Sequence, residues 1–200
     1  MHADWGQVSY IRVVTDTENE VVSVAEQKEH SRIDSDIEDN YIESLTTAAR
    51  HAIERYIGRQ LGAQTLEMAL AVWPESRRIE FPRPPLIDVL SITYTKADGA
   101  DVVWYDSEAS PVVDPLAFTI ETGAEPGALF LNSSSAWPSD ALAAGFPIKI
   151  RFKAGITDVP QDLKQALMLM AAHQYENREG AEGMPPNIAW LCARHKVEGF

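Results

Sequence analysis

Apolar and polar positions recur along this chain with two different periods, and the changes of period divide it. Ser23-Val24-Ala25-Glu26 has capping-box spacing and predicts a short helix to about His30. Ser35-Asp36-Ile37-Glu38 repeats the spacing ahead of a long stripe. There Ile37, Tyr41, Leu45, Ala48, Ala52 and Tyr56 recur at steps of three and four, with Ala49, Ile53 and Ile57 alongside. That spacing predicts an amphipathic helix over about 36–58, stopped by Gly58. From Thr65 the period becomes two. Leu66, Met68, Leu70 and Val72 alternate, Ile79 and Phe81 precede a proline cluster, and Leu90, Ile92 and Tyr94 lead to Asp98-Gly99, a type I′ hairpin signal. Val102–Tyr105 is the expected return strand, and Phe118–Glu121 with Ala128–Leu131 form a second hairpin. Ile148, Ile150 and Phe152 against Lys149, Arg151 and Lys153 predict a strand with one wet face.

After Gly155 the helical period returns. Val159–Glu179 has a proline at its second position, which a first helical turn tolerates, and its centre, Ala166–Ala172, is apolar on every side. Such a segment packs against more than one neighbour. Asn187–Arg194 forms one or two further turns. The expected class is therefore α+β: a helical bundle (a long helix about 36–58, a helix about 160–179 and short flanking helices) with an antiparallel β region inserted at about 64–153. Residues 1–21 hold a strand-like run, Val8–Thr15, as an N-terminal arm or an edge strand. Residues 22–200 then make one domain, with helices in 22–62 and 155–194, the β insertion 63–154 and a tail 195–200.

Composition narrows the function. Forty-five per cent hydrophobic residues in 200 suffice for one domain of ordinary size. No apolar run approaches the ~20 residues of a bilayer span, and the first residues lack a basic n-region and apolar h-region, so no secretory signal is visible. The single cysteine, Cys192, excludes an intrachain disulfide framework. Seventeen basic against thirty acidic residues give a formal charge of −13, with the excess of acids in the first three quarters of the chain. Such a surface repels phosphate and argues against gripping DNA through a basic patch.

Chemistry is sparse. His51 with Glu54 and His173 with Glu176 have helical pair spacing, read as a solvated pair and as structural packing respectively, since no second ligand cluster accompanies either. Cys192 has Arg194 and His195 close by but sits where a buried, inert thiol is the expected outcome. No phosphate loop, nucleophile elbow or zinc-protease motif occurs, so neither catalytic residues, cofactor nor metal is assigned. The aromatics are more informative. Trp73, Trp104, Tyr105, Trp137 and Trp190 border loops or strand ends, where rings plug the edges of a small core or anchor protein contacts. The tail ending in Gly199-Phe200 suits docking against a neighbour or a disordered end.

An ordered series of landmarks resembles the phage gp6-like head–tail connector (adaptor) family, including its phiE125 gp8-like group. The series runs Val24-Ala25-Glu26, His30-x-Arg32-Ile33, the acid-rich Asp36–Asp39, Ala48-Ala49-Arg50, and Ile53-Glu54-x-Tyr56-Ile57-Gly58-Arg59. It continues with Phe81-Pro82-x-Pro84-Pro85-Leu86, Val89-x-Ser91-Ile92-x-Tyr94, Asp98-Gly99, Phe152-x-Ala154-Gly155, Val159-Pro160, Leu163-Lys164-x-Ala166 and Tyr175–Glu179. It covers roughly 22–195; Ser31 departs from it, where an apolar residue is common. The resemblance implies a structural virion protein of a tailed phage, prophage or gene transfer agent, not an enzyme. It implies assembly in the host cytoplasm into a homododecameric ring beneath the portal protein, at the capsid–tail junction. Such a ring extends the DNA channel, through which DNA passes without sequence-specific binding, and connects to stopper and tail proteins. Portal contacts would fall on Tyr175, Arg178, Trp190, Arg194, His195, Lys196 and Phe200, and ring or tail contacts on Trp73, Trp104, Tyr105 and Trp137. The alternatives are another ring-forming virion protein, a stopper or tail-completion protein, and a small hydrolase using His173 and Glu176.

Overall fold

The structure, a computed structural model, describes residues 8–17, 20–113, 115–178 and 183–197. It is α+β, and its chain folds as two compact units. One contains the N-terminal strand and 63–155; the other contains 17–62 and 156–200.

The first unit holds eight antiparallel strands: β1 (Val8–Thr15), β2 (Gln64–Leu70), β3 (Arg78–Glu80), β4 (Leu86–Thr95), β5 (Asp101–Asp106), β6 (Phe118–Glu121), β7 (Ala128–Leu131) and β8 (Ile148–Ala154). They make a five-stranded sheet in the order β1-β2-β8-β4-β5 and a three-stranded sheet in the order β3-β7-β6. The run Val8–Thr15 is thus an edge strand, pairing with β2. The apolar alternation sets the register: Leu66 opposes Phe152, Met68 opposes Ile150 and Ile150 opposes Ile92. These residues share one buried core with Phe81 and Leu129 of the smaller sheet's strands and flanks. On β8 burial alternates strictly, so the wet face expected of Lys149, Arg151 and Lys153 is present.

The turn at Asp98-Gly99 is not type I′. Gly99 has φ +88° but Asp98 does not have a positive φ. The Gly99 N–H donates to Lys96 O at 2.9 Å, and the Lys96 N–H donates to Ala100 O at 2.8 Å. This is the three-residue hairpin loop, a tight turn followed by a left-handed glycine. The Asp98 carboxylate accepts from the Ala100 N–H at 3.0 Å, a local bond that suits Asp98 to the ordinary right-handed position. Gly127 serves a different need, since a Cβ there would lie 2.5 Å from Leu86 Cβ.

The second unit holds α1 (Val24–Ser31), α2 (Asp39–Ile57), α3 (Gln161–Glu176) and α4 (Pro186–Cys192), with a 3₁₀ turn at Ala193–His195. The first capping box forms as expected: Ser23 Oγ accepts from the Glu26 N–H, and Glu26 accepts from the Ser23 N–H at 2.8 Å. The second does not. The long helix starts at Asp39 with Glu38 as its N-cap and no side-chain cap. Each carboxylate of that corner is drawn elsewhere. Lys28 Nζ donates to Asp36 at 2.5 Å and to Asp39 at 2.8 Å, while Glu38 accepts from Tyr175 and Arg178.

The buried face of α2 also differs from the expected stripe. Ile42, Ala49, Ile53 and Ile57 are buried, Ala48 is exposed, and Ile37 is 93% exposed. Three polar residues, Thr46, Arg50 and Glu54, complete the buried face. Their polarity displaced the apparent apolar stripe by one helical position. Leu163, Ala166, Leu167, Met170 and Ala171 of α3 fill the core beside Ala49, Ile53 and Ile57. The helix touches α1, α2 and α4, which accounts for an apolar circumference at its centre.

Arg50 is 1% exposed and holds this unit's polar centre. Its Nε and Nη2 donate to the two carboxylate oxygens of Glu20 at 2.8 and 3.0 Å, and its Nη1 donates to Glu54 at 3.2 Å. Glu54 also accepts the Leu61 N–H at 2.8 Å, just past the end of α2. The pair His51 and Glu54 is therefore not a solvated pair: only His51 is exposed, and Glu54 belongs to a buried network.

Candidate functional site

Two groups of side chains in the helical unit and one in the sheet unit carry the residues singled out from the sequence. The first helical group joins the end of α3 to the start of α2. Tyr175 Oη donates to Glu38, Arg178 Nη2 donates to the other oxygen of Glu38 at 2.8 Å, and the Arg178 guanidinium lies 4.9 Å from the Tyr41 ring centroid and 5.1 Å from that of Tyr175. A guanidinium between two tyrosine faces is held by the ring quadrupoles as well as by the carboxylate. The hydrogen bonds from Tyr175 and Arg178 hold the Glu38 carboxyl below its ordinary range, and the same bond to Glu38 raises Tyr175.

The second group joins α4 and the 3₁₀ turn to the first turn of α3. Arg194 Nε donates to Asp162 at 2.7 Å, and His195 Nε2 lies 2.8 Å from the same oxygen. Burial works to raise the Asp162 carboxyl, but His195 and Arg194 outweigh it and the group is lowered. The chain then runs along α2: His195 O accepts from Arg59 Nε at 2.8 Å, the Val197 N–H donates to Ile57 O at 2.8 Å, and Lys196 Nζ lies 4.9 Å from the Tyr56 ring centroid. Residues 195–197 are therefore pinned to the helices of their own unit. Phe200 and Glu179 lie outside the described residues. Trp190 stands apart from both groups. It is 78% exposed, while Ile188 and Cys192 on the same short helix are buried.

In the sheet unit Trp73, Trp104, Tyr105 and Trp137 come together. Trp73 stacks on Trp137 at 5.3 Å between centroids, Trp104 lies 5.5 Å from Trp73 and 5.8 Å from Trp137, and Phe118 bridges Trp104 to Tyr105. Their sites come from β5, from the segment after β2 and from the segment before β8, so the sequence placed each ring at an edge but carried no sign that the edges converge. Trp137 Nε1 donates to Ser76 O at 3.0 Å. Beside them Tyr94 donates to Asp140 at 2.5 Å, and burial together with that carboxylate pushes the phenol up to about 12. All four predicted rings are half-buried, so each keeps an exposed part after packing.

The helical unit has a cleft of about 480 Å³ lined by residues that include His30, Arg32, His173, Tyr175, Glu176 and Asn187. His173 and Glu176 both face it, but among the described residues no hydrogen bond joins them. His173 Nδ1 instead lies 3.2 Å from Asn177 Nδ2. Cys192 is fully buried, and burial with the nearby Asp162 charge pushes its thiol up to about 11, far from a reactive thiolate. Among the described residues no cluster of three metal-ligating side chains occurs, and no helix is long and apolar enough to cross a membrane.

The model of one family, head completion protein, matches residues 20–184. The chain belongs to the head completion protein family. It is accordingly a structural protein of the virion and not an enzyme, in agreement with the head–tail connector landmarks. Among curated proteins none matches it by sequence. Three solved structures share its fold at 24% identity, each alignment covering 94% of this chain and 96% of the other. They are the neck of an empty gene transfer agent particle computed with C6 symmetry (TM-score 0.73), the virion of a native gene transfer agent particle (0.71) and the neck of a native particle computed with C12 symmetry (0.71). The family accounts for the quiet chemistry: this head completion protein presents surfaces, not a reacting centre.

Proposed function

We propose that this head completion protein is a head–tail adaptor at the capsid–tail junction, twelve copies of which form a ring beneath the portal protein, extend the DNA channel and receive stopper and tail proteins. The family match over 20–184 carries the reading. The neck structures of the same fold, one of them with C12 symmetry, support the copy number. A charge of −13 on each copy fits a channel along which DNA slides without being held. In this reading 1–21 is an accessory strand or arm, and 22–200 is the adaptor proper, its helices acting as a bundle.

The portal-facing residues are Tyr175 and Arg178 at the end of α3, Arg194, His195 and Lys196 beside its first turn, and Trp190 on α4, with Phe200, outside the described residues, assigned to the same contact. Five of these bind within the unit, Tyr175 and Arg178 to Glu38 and Tyr41 at one end of the α2–α3 pair, and Arg194, His195 and Lys196 to Asp162 and Tyr56 at the other. Trp190 supplies the free apolar anchor. The half-buried rings of Trp73, Trp104, Tyr105 and Trp137 serve ring or tail contacts, being rigid and already packed on one side. Exposed tryptophans that become buried on association are typical binding hot spots, losing about 2 kcal/mol or more on truncation. Trp190→Ala should therefore weaken portal association by about 30-fold while shifting the protein's stability by less than about 0.5 kcal/mol. Surface plasmon resonance on immobilised portal, beside a thermal melt, measures both. Unchanged affinity would move the portal face elsewhere.

A further inference from the structure

The middle strand of the five-stranded sheet carries a row of positive charge on a strongly acidic protein. Lys149, Arg151 and Lys153 are all exposed on one face of β8. Pairing extends this row across the sheet in three transverse lines. Lys149 lies between Ala69 and Thr93, and beyond them are Tyr10 and Val103. Arg151 lies between Glu67 and Ser91, and beyond them are Arg12 and Asp106. Lys153 lies between Thr65 and Asp88. Glu67 is buried and shared, 2.7 Å from Arg12 and 3.2 Å from Arg151. Among the described residues Lys149 and Lys153 have no ion-pair partner. Four cations thus face three carboxylates, Glu67, Asp88 and Asp106. Tyr10 (36% exposed) and Val103 (48% exposed) flank the row.

The helical unit presents the opposite character at the corner between α1 and α2. Asp34, Asp36, Glu38 and Asp39 fall within six residues, and among the described residues their cationic partners are Lys28 and Arg178. Between Asp36 and Glu38 stands Ile37, 93% exposed, the most exposed large hydrophobic among the described residues. An apolar knob ringed by acids matches a basic row flanked by apolar side chains.

We infer that these two patches meet between neighbouring copies: the Lys149-Arg151-Lys153 face of one copy receives the Asp34–Glu38 corner of the next. This rests on the ring reading above, whose interface must be heterologous, with two different patches in contact. Copies that each carry −13 repel one another, and a contact of opposite sign is what ring closure requires. A phosphate backbone would also be drawn to the lysines. The protein partner is favoured because the face includes three carboxylates and an apolar border of tyrosine and valine, a composition suited to protein contacts.

The test assembles rings on portal from full-length light and isotopically heavy copies, treats them with a carbodiimide that joins lysine only to a touching carboxylate, and maps light–heavy peptides. The expected products join Lys149 or Lys153 to Asp34, Asp36 or Glu38. Lys149→Glu with Lys153→Glu should lower ring yield by about tenfold or more, and adding Asp34→Lys with Asp36→Lys should restore it. Light–heavy products that place the two lysines only on other segments overturn the inference, as do normal rings from the variant carrying Lys149→Glu and Lys153→Glu alone. Duplex DNA binding at physiological ionic strength that disappears in that variant also overturns it, in favour of a phosphate contact. If the native protein forms no ring on portal, the adaptor reading itself falls; if native rings form but are indifferent to these charges, only this interface does.

Discussion

Replacing Arg50 by leucine is expected to destabilise the protein by about 3–5 kcal/mol, the range for breaking a buried ion pair by removing one partner. Leucine has comparable bulk, so the loss comes from charge and not from a cavity. Glu20 and the buried Glu54 would lose the guanidinium that both approach at 2.8–3.2 Å. Glu20 stands before α1, so the same substitution loosens the chain's entry into the helical unit. Replacing Arg50, Glu20 and Glu54 together by apolar residues of similar volume should recover most of the loss, because an apolar core can substitute for a complete buried network. Urea unfolding followed by far-ultraviolet circular dichroism gives both values. A loss below about 1 kcal/mol for the single variant would show that the network is not a structural centre.

Phe152→Ala tests the other unit and is expected to cost about 3–5 kcal/mol. Phe152 is fully buried on the middle strand, 5.0 Å from the Phe81 ring, with Leu66 and Val89 as its register partners on either side. Truncation removes a ring from the one core that both sheets share and leaves a cavity that β8, paired on both edges, cannot close by shifting. Trp73, Trp104 and Trp137 all lie in this unit, so tryptophan fluorescence follows it. A midpoint shift corresponding to less than about 1 kcal/mol would mean that the sheets repack around the gap.

The sheet was readable because its alternation is regular. Phe118–Glu121 and Ala128–Leu131 are the strands their apolar pattern predicted, and Ile148, Ile150 and Phe152 are fully buried as the pattern required. The first capping box was equally plain, because Ser23 and Glu26 have no stronger partners. Misreadings arose where a polar side chain has a distant partner. Ser35-x-x-Glu38 looks like a cap, but Glu38 is taken by Tyr175 and Arg178, more than 130 residues away in sequence. The stripe on α2 was displaced because Arg50 and Glu54 are buried through Glu20, which sits in a stretch that reads as loop. Likewise the aromatic residues were each placed at an edge, while their convergence depends on a sheet order that local sequence does not encode.

Trp190 could be singled out from sequence as an aromatic on a short helix, and among the described interaction residues its ring is the most open to solvent of the tryptophans. The roles of Arg178 and Arg194 as clamps within the unit follow only from the positions of Glu38 and Asp162. A surface whose charged groups are already bound to each other is preorganised, so association need order few side chains.

The most direct measurement is cryo-electron microscopy of the purified protein mixed with the portal protein of its own particle. The adaptor account predicts a closed ring of twelve copies seated on the portal, with Trp190 in the contact. A protein that stays unbound, or that attaches as scattered single copies without closing a ring, would contradict it.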